Sequence, residues 1–243
     1  MGARHVIKGI VFDKDGTLFD FNATWGTWTL GMLADEAGSD PALLAAMAQT
    51  LGYDTANKRF FPGSIVIAET VDVIARALLT HLPGENEPDL IARMKEKSLH
   101  VPQVAAVPLI PYFAGLRGMG LRLGIATNDA EGPARRHLTT AGIHDTFDFI
   151  AGFDSGHGGK PAPGQLIAFC DTTGLDPAEC LMVGDSLHDI AAGRAAGMTT
   201  VGVLTGPATA TDLGPHADAI LPDIGHLPGW IDRTRNAPQL GGA

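Results

Sequence analysis

Two aspartates, Asp13 and Asp15, stand at the end of a short apolar run, with Lys14 between them and Gly16 directly after. A local turn would account for this pattern, because Asp and Gly are common where a strand stops. A metal site would also account for it, because a bound cation makes neighbouring carboxylates tolerable. The choice depends on which other polar residues the fold places beside this pair.

Further polar residues follow three later apolar runs of the chain, and these are Thr127, Asn128, Lys160, Asp185 and Asp189. Four carboxylates beside a single lysine would repel one another in a partly desolvated pocket, and a divalent cation relieves that repulsion. An all-oxygen set of ligands without His or Cys indicates a hard ion. Mg²⁺ is the usual choice where phosphate is handled.

The elements that must position these residues are short apolar strands alternating with helical patterns. Strands are predicted over residues 6–12, 121–127, 147–153, 180–185 and 199–204, and helices over 130–141, 163–174 and 187–196. Such alternation predicts βαβ units, and hence an α/β fold with a Rossmann-like parallel sheet. Ligands of such sheets bind beyond the carboxyl ends of the strands, where all of these polar residues fall.

The stretch from about residue 21 to residue 100 has no such strand and reads as helical. Asp40 and Pro41 predict a helix start, with Gly52 as its stop; a second helix opens at Ser64, and a third covers residues 89–99. We therefore expect a core domain of residues 1–18 and 104–243 and an inserted α-helical cap domain of residues 19–103.

One segment of the insert, residues 57–63, carries two cations, two aromatic residues and a turn between helices. It is the predicted recognition segment, in which Lys58 or Arg59 would suit a substrate carboxylate. A solvated loop is the alternative interpretation.

Composition narrows the class of protein. The formal charge of −10 over 243 residues argues against a nucleic-acid binder, which needs a basic face. No apolar stretch approaches the ~20 residues of a membrane span, and no targeting segment is visible. Cys170 and Cys180 lack metal-ligand spacing and are expected to be buried and reduced. We expect a cytoplasmic protein.

The motifs "DKDGT", Thr127, Lys160 and "GDSLHD", in that order, resemble the four motifs of the haloacid dehalogenase superfamily. The helical insert directly after the first motif resembles the cap of the phosphoglycolate phosphatase-like branch. The stretches 141–166 and 184–198 are also similar to that branch. The likeness covers the sheet domain well, and the insert only in its position and helical character.

The resemblance implies a Mg²⁺-dependent phosphatase of small phosphate monoesters, phosphoglycolate or a similar compound, acting through an aspartyl-phosphate. Asp13 would be the nucleophile and Asp15 the acid and base, with Thr127 and Lys160 completing the catalytic set. Mg²⁺ would be held by Asp13, the backbone carbonyl of Asp15, Asp185 and Asp189. The expected substrate-binding residues are Gly16, Thr17, Asn128, Lys58 and Arg59. The expected partner is a small phosphorylated metabolite, and the expected assembly a monomer or homodimer.

Other functions stay open at this point. A phosphosugar mutase of the β-phosphoglucomutase type uses the same aspartates, although Thr17 mildly favours hydrolysis. A dehalogenase is disfavoured because it needs neither Asp15 nor a metal, and a noncatalytic protein would be expected to have lost a key residue. Lys14 departs from the family pattern, in which an apolar residue is common. It would either face the cap and attract an anionic group or pair with a nearby acid.

Overall fold

The computed structural model describes residues 6–61, 63–67 and 69–236. Its strands are β1 (Gly9–Phe12), β2 (Tyr53–Asp54), β3 (Arg59–Phe60), β4 (Arg122–Ala126), β5 (Phe149–Ala151), β6 (Cys180–Gly184), β7 (Thr199–Val203) and β8 (Ala219–Leu221). Its helices are α1 (Phe21–Ala37), α2 (Pro41–Leu51), α3 (Val71–Leu79), α4 (Glu87–Ser98), α5 (Leu109–Gly118), α6 (Glu131–Thr140), α7 (Gly164–Thr173), α8 (Leu187–Ala196), α9 (Ala210–Leu213) and α10 (Leu227–Asn236). Among the described residues, no helix is long and apolar enough to cross a membrane.

Six of the strands form one parallel sheet in the order β5-β4-β1-β6-β7-β8. The first strand is central, and its last residue, Phe12, lies opposite Ile125 of β4 and Val183 of β6. Helices cover both faces of a parallel sheet, so its strands are apolar throughout, and all four residues of β1 are buried. The predicted α/β fold is confirmed.

The segment between β1 and α5 builds a second apolar core of its own. Buried side chains from four helices meet there, including Leu33, Met47, Leu78 and Leu90. The two chain passages that join this segment to the sheet run side by side, because the Asp20 N–H donates to the Val104 carbonyl at 2.8 Å. These features support our proposal of a core domain of residues 1–18 and 104–243 with a cap of residues 19–103.

Two local predictions for the insert are wrong in detail. The helix expected to open at Ser64 is a 3-10 turn over Ile65–Ile67, and α3 begins only at Val71. Ser64 Oγ donates to the Leu51 carbonyl and accepts from the Val66 N–H, which fixes this turn, and three β-branched residues follow that disfavour a helix. Of the predicted turn between helices at residues 57–63, residues 57–60 lie in the antiparallel β2–β3 hairpin instead, and residue 62 lies outside the described residues.

Candidate active site

The ends of three neighbouring strands bring the first set of predicted residues together. Asp13, Thr127 and Asp185 directly follow β1, β4 and β6, which are adjacent and parallel. The Asp13 N–H donates to the Val183 carbonyl at 2.8 Å, which extends the ladder into the site. All three residues are buried, so their polar groups meet in a space with little solvent.

Lys160 joins two of the carboxylates. Its Nζ lies 2.6 Å from Asp13 Oδ1 and 2.5 Å from Asp189 Oδ1, and only 2% of its side chain is exposed. Burial alone would lower the pKa of Lys160, but the two carboxylates outweigh burial and raise it. The ammonium group is therefore a permanent cation at this edge of the sheet.

Asn128 fixes the loop that carries this lysine. Its Nδ2 donates to the Lys160 carbonyl, and its Oδ1 accepts from the Lys160 N–H, both at 2.8 Å. Asn128 also lines the cavity over the aspartates. These two hydrogen bonds hold the backbone of Lys160 in place. Asn128 therefore positions this lysine, a role that the sequence did not predict.

The start of α8 orients Asp189. Ser186 Oγ donates to Asp189 Oδ2 at 2.7 Å, and the Ser186 N–H donates to the same oxygen at 3.0 Å. This capping box holds the carboxylate at the helix N-terminus and leaves its Oδ1 for Lys160. Asp189 is thus both a helix cap and a member of the cluster.

Three buried carboxylates form a group that fits a divalent cation. One oxygen from each of Asp13, Asp185 and Asp189 lies within 4.8 Å of the others. Asp185 Oδ2 is buried and has no hydrogen-bond partner within the described part of the chain. Burial, then the charges of Asp13 and Asp189, raise the pKa of Asp185 well above its usual value. A hard cation would satisfy the orphaned oxygen and keep the group ionised.

Gly16 allows the first motif to turn against this cluster. Its φ of +80° lies in the left-handed region, and a Cβ there would come within 2.3 Å of Asp185 Oδ2. The Gly16 carbonyl accepts from Thr205 Oγ1 at 2.6 Å. Gly16 therefore gives room to a carboxylate, and it does not line the cavity.

Lys14 is fully buried and has two carboxylates beside it. Its Nζ lies 2.6 Å from Asp15 Oδ2 and 3.3 Å from Asp129 Oδ2. Burial alone would lower the pKa of Lys14, and these acids raise it above its usual value. Of the two alternatives for Lys14, pairing with nearby acids is confirmed. Burial also raises the pKa of Asp129, with Lys14 opposing that effect.

His137 completes this arrangement and reaches the insert. Its Nδ1 lies 3.2 Å from Lys14 Nζ, and its Nε2 lies 2.7 Å from the Ser98 carbonyl at the end of α4. Because an ammonium group only donates, Nδ1 accepts and the ring proton sits on Nε2. Burial, and then the charge of Lys14, lower the pKa of His137 to about 4, so the ring is neutral.

Trp25 of α1 is a site residue that the sequence did not predict. Its Nε1 donates to Asp15 Oδ1 at 2.7 Å, so Asp15 is held by the insert on one oxygen and by Lys14 on the other. Trp25 also stands edge-on to the His137 ring, with centroids 6.1 Å apart. Ten positions separate Trp25 from Asp15 in the chain, and no motif signals the contact. Asp129, by contrast, could have been found as the next residue after Asn128.

The remaining predicted site residues lie away from the cavity. The side chains of Lys58 and Arg59 are exposed on the β2–β3 hairpin, and neither lines the cavity over the aspartates. Thr17, the last residue of the first motif, is fully buried and does not line the cavity either. Asp13, Asp15, Thr127, Asn128 and Lys160 do line the cavity, whereas these three do not.

This arrangement of residues agrees with a comparison of the whole chain with known families. A family model described as a haloacid dehalogenase-like hydrolase matches residues 7–197. The chain belongs to the haloacid dehalogenase-like hydrolases. The matched span runs from before β1 to just beyond α8, and thus includes all four motifs. The family expected from the sequence is confirmed.

Curated relatives of this chain are named phosphoglycolate phosphatases, and solved structures share its fold. A phosphoglycolate phosphatase from Nitrosospira multiformis is 31% identical over 198 residues, covering 79% of this chain and 80% of that protein. One from Psychrobacter arcticus is 36% identical over 216 residues, covering 81% of this chain and 83% of that protein. The crystal structure of a predicted phosphoglycolate phosphatase from Haemophilus somnus covers 94% of this chain and 99% of its own, with a TM-score of 0.72 at 22% identity. This hydrolase thus shares the fold of that structure.

Proposed function

We propose that this protein is a Mg²⁺-dependent phosphatase that hydrolyses small phosphate monoesters through an aspartyl-phosphate. The observation that carries the proposal is the pairing of Asp13 with Lys160 beside two further buried carboxylates, in a cavity that Asp15 also lines. Phosphoglycolate is the reference substrate, because the curated relatives are named for it.

Asp13 is the proposed nucleophile. Burial raises the pKa of Asp13 to about 7, although Lys160 lowers it, so the ionised form depends on nearby positive charge. One carboxylate oxygen attacks phosphorus in line, and the new bond forms as the bond from phosphorus to the ester oxygen breaks. Lys160 neutralises charge on both reacting groups.

Asp15 is the proposed acid and base. It gives its proton to the leaving oxygen, and in the second step it takes a proton from the water that attacks phosphorus. The bond from Asp13 to phosphorus then breaks, which releases inorganic phosphate and restores both carboxyl groups. Trp25 and Lys14 each donate to one oxygen of Asp15, which fixes the orientation of this carboxyl group at the cavity.

Thr127 and Asn128 are the remaining residues of the proposed phosphate-binding site. Thr127 Oγ1 accepts from the Asp129 N–H at 3.0 Å, which leaves its hydroxyl proton to donate to a phosphate oxygen. Asn128 acts by holding the loop of Lys160 in place. Thr17 and Gly16 support the turn of the first motif rather than touching the substrate.

Mg²⁺ would be held by Asp13, the backbone carbonyl of Asp15 and Asp185, with Asp189 beside them. When bound, it supplies positive charge that neutralises the phosphoryl group and the surrounding carboxylates. The orphaned, buried Oδ2 of Asp185 supports this set.

The apolar character of the cavity weighs against a phosphosugar mutase. A sugar needs hydrogen-bond partners around its ring, whereas the walls beyond the aspartates are largely apolar and include Trp28, Met32 and Met94. Hydrolysis therefore remains the better-supported reaction at the shared aspartates.

The decisive experiment measures phosphate release from a panel of esters, with Mg²⁺ and with a chelator. Asp13→Asn should lower turnover by a factor of about 10⁴ or more, because the nucleophile is lost. Asp145→Asn is the matched control, since Asp145 is fully exposed and does not line the cavity. Equal turnover of Asp13→Asn and wild type would refute the proposal. Phosphate release at the same rate with Mg²⁺ and with the chelator would also refute it.

We further propose a cytoplasmic location and a monomeric or homodimeric state. Cys170 and Cys180 support a reducing compartment, because both are free and buried with their Sγ atoms 3.9 Å apart. Sedimentation of the purified protein at several concentrations tests the assembly state.

A further inference from the structure

The cavity over Asp13 and Asp15 continues into the insert, and there its walls are apolar. Two tryptophans, Trp25 and Trp28, stand edge-on to each other with ring centroids 5.2 Å apart. Met32, Val71 and Met94 add aliphatic surface from α1, α3 and α4. This is the space into which the alcohol part of a phosphate ester must extend when its phosphorus lies at Asp13.

The charges in that wall do not suit a carboxylate. Apart from Lys160, the only Lys or Arg lining the described part of the cavity is Lys95. The Lys95 ammonium already lies 3.3 Å from Asp154 and 5.3 Å from the centre of the Phe153 ring. Glu69 adds a negative charge to the same wall. The carboxylate of phosphoglycolate would therefore be desolvated beside an acid, without a cation of its own.

We propose that the preferred substrates are phosphate monoesters whose leaving alcohol carries an uncharged aryl or branched-alkyl body. The inference rests on the proposed phosphatase function, and the net reaction is the same: ester and water give the alcohol and inorganic phosphate. Moving a phenyl-sized group from water into such a wall should raise kcat/KM about 10- to 100-fold over an ester that leaves the wall empty.

The test compares benzyl phosphate, isobutyl phosphate, glycerol 3-phosphate and phosphoglycolate, all esters of primary alcohols, as substrates of the wild-type enzyme with Mg²⁺. We expect kcat/KM for benzyl phosphate to exceed that for phosphoglycolate by at least about tenfold. Trp28→Arg removes a ring from the wall and adds a cation, so it should shift this ratio toward phosphoglycolate by about tenfold or more.

A second variant and a control distinguish a change in substrate preference from misfolding of Trp28→Arg. Val71→Arg adds the same cation from α3 and should shift the ratio in the same direction. Ile110→Arg is the matched control, because Ile110 is 62% exposed on α5 and does not line the cavity. The control should keep the wild-type ratio.

The possible outcomes distinguish a wrong substrate class from a wrong phosphatase function. Phosphate release with phosphoglycolate equal to or better than benzyl phosphate would overturn the substrate class and leave the phosphatase intact. Release from none of the esters, with Mg²⁺ present, would overturn the phosphatase function itself. Unchanged ratios in both Trp28→Arg and Val71→Arg would show that these walls do not contact the leaving group and would also overturn the inference.

Discussion

Replacing Lys14 with methionine removes a buried cation from between two carboxylates. The Lys14 side chain is 0% exposed, and its Nζ lies 2.6 Å from Asp15 and 3.3 Å from Asp129. Methionine is also long and unbranched, so it fills much of the same space. The change therefore acts mainly through charge.

The expected loss of unfolding free energy follows from the two buried carboxylates that remain without their cation. Breaking a buried ion pair by removing one partner costs about 3–5 kcal/mol, because the other partner keeps an uncompensated charge. Here two carboxylates remain, and burial already raises the pKa of Asp129 while Lys14 opposes it. Without Lys14 the pKa of Asp129 rises further, and its protonation relieves part of the strain. We expect a loss of about 3 kcal/mol in the free energy of unfolding at neutral pH.

Urea unfolding followed by circular dichroism measures this loss. Lys8→Met is the matched control, because Lys8 is 53% exposed and its ion pair with Glu179 spans 2.6 Å at the surface. That control should lose about 1 kcal/mol or less. The double variant Lys14→Met, Asp129→Asn should regain part of the stability, because one of the unpaired carboxylates is gone.

Unfolding of Lys14→Met at the same urea concentration as Lys8→Met would contradict this prediction. An equal loss of stability from Asp129→Asn in the Lys14→Met background and in the wild-type background would contradict it as well. Either result would mean that the buried cation and its carboxylates are not coupled.

Three further predictions concern the same region. Asn128→Ala removes both hydrogen bonds to the Lys160 backbone, so kcat should fall about 10- to 100-fold with a smaller change in KM, as steady-state kinetics would show. Mg²⁺ should raise the thermal unfolding midpoint because it binds the folded state, and Asp185→Asn should abolish that rise. The pKa of His137 is lowered from 6.5 to about 4, so the unfolded chain binds the proton more readily and stability falls as the pH drops below 6.5. The loss is about 2 kcal/mol between about pH 7.5 and 5, and urea titrations of His137→Gln should lack it.

Each of these predictions has a contrary result. An Asn128→Ala enzyme with wild-type kcat would show that the loop carrying Lys160 keeps its position without the Asn128 hydrogen bonds. If Mg²⁺ raises the unfolding midpoint of Asp185→Asn as much as that of the wild type, the cation does not bind at Asp185. Glutamine keeps one acceptor for Lys14 and one donor for the Ser98 carbonyl without titrating, so an identical pH dependence in His137→Gln would assign the loss to other groups.

The sequence by itself determined the sheet and the residues at its edge. Strands alternating with helices must pair in parallel, so residues that directly follow them, such as Asp13, Thr127 and Asp185, meet at one edge. Local capping rules also located α2, with Asp40 at its start and Gly52 at φ +66° after its end. These features depend on periodicity and on neighbours a few residues apart, which a sequence displays directly.

Only the tertiary structure decided what surrounds Asp15 and what lines the cavity above it. The sequence allows Lys14 either to face the cap or to pair with an acid, because its partners Asp129 and His137 are more than a hundred positions away. Lys58 and Arg59 are predicted substrate-binding cations but are exposed on the hairpin, whereas Trp25 and its apolar neighbours line the cavity. Such contacts arise when the insert packs onto the sheet domain, and no local pattern encodes them because burial and pairing are set by segments distant in the chain.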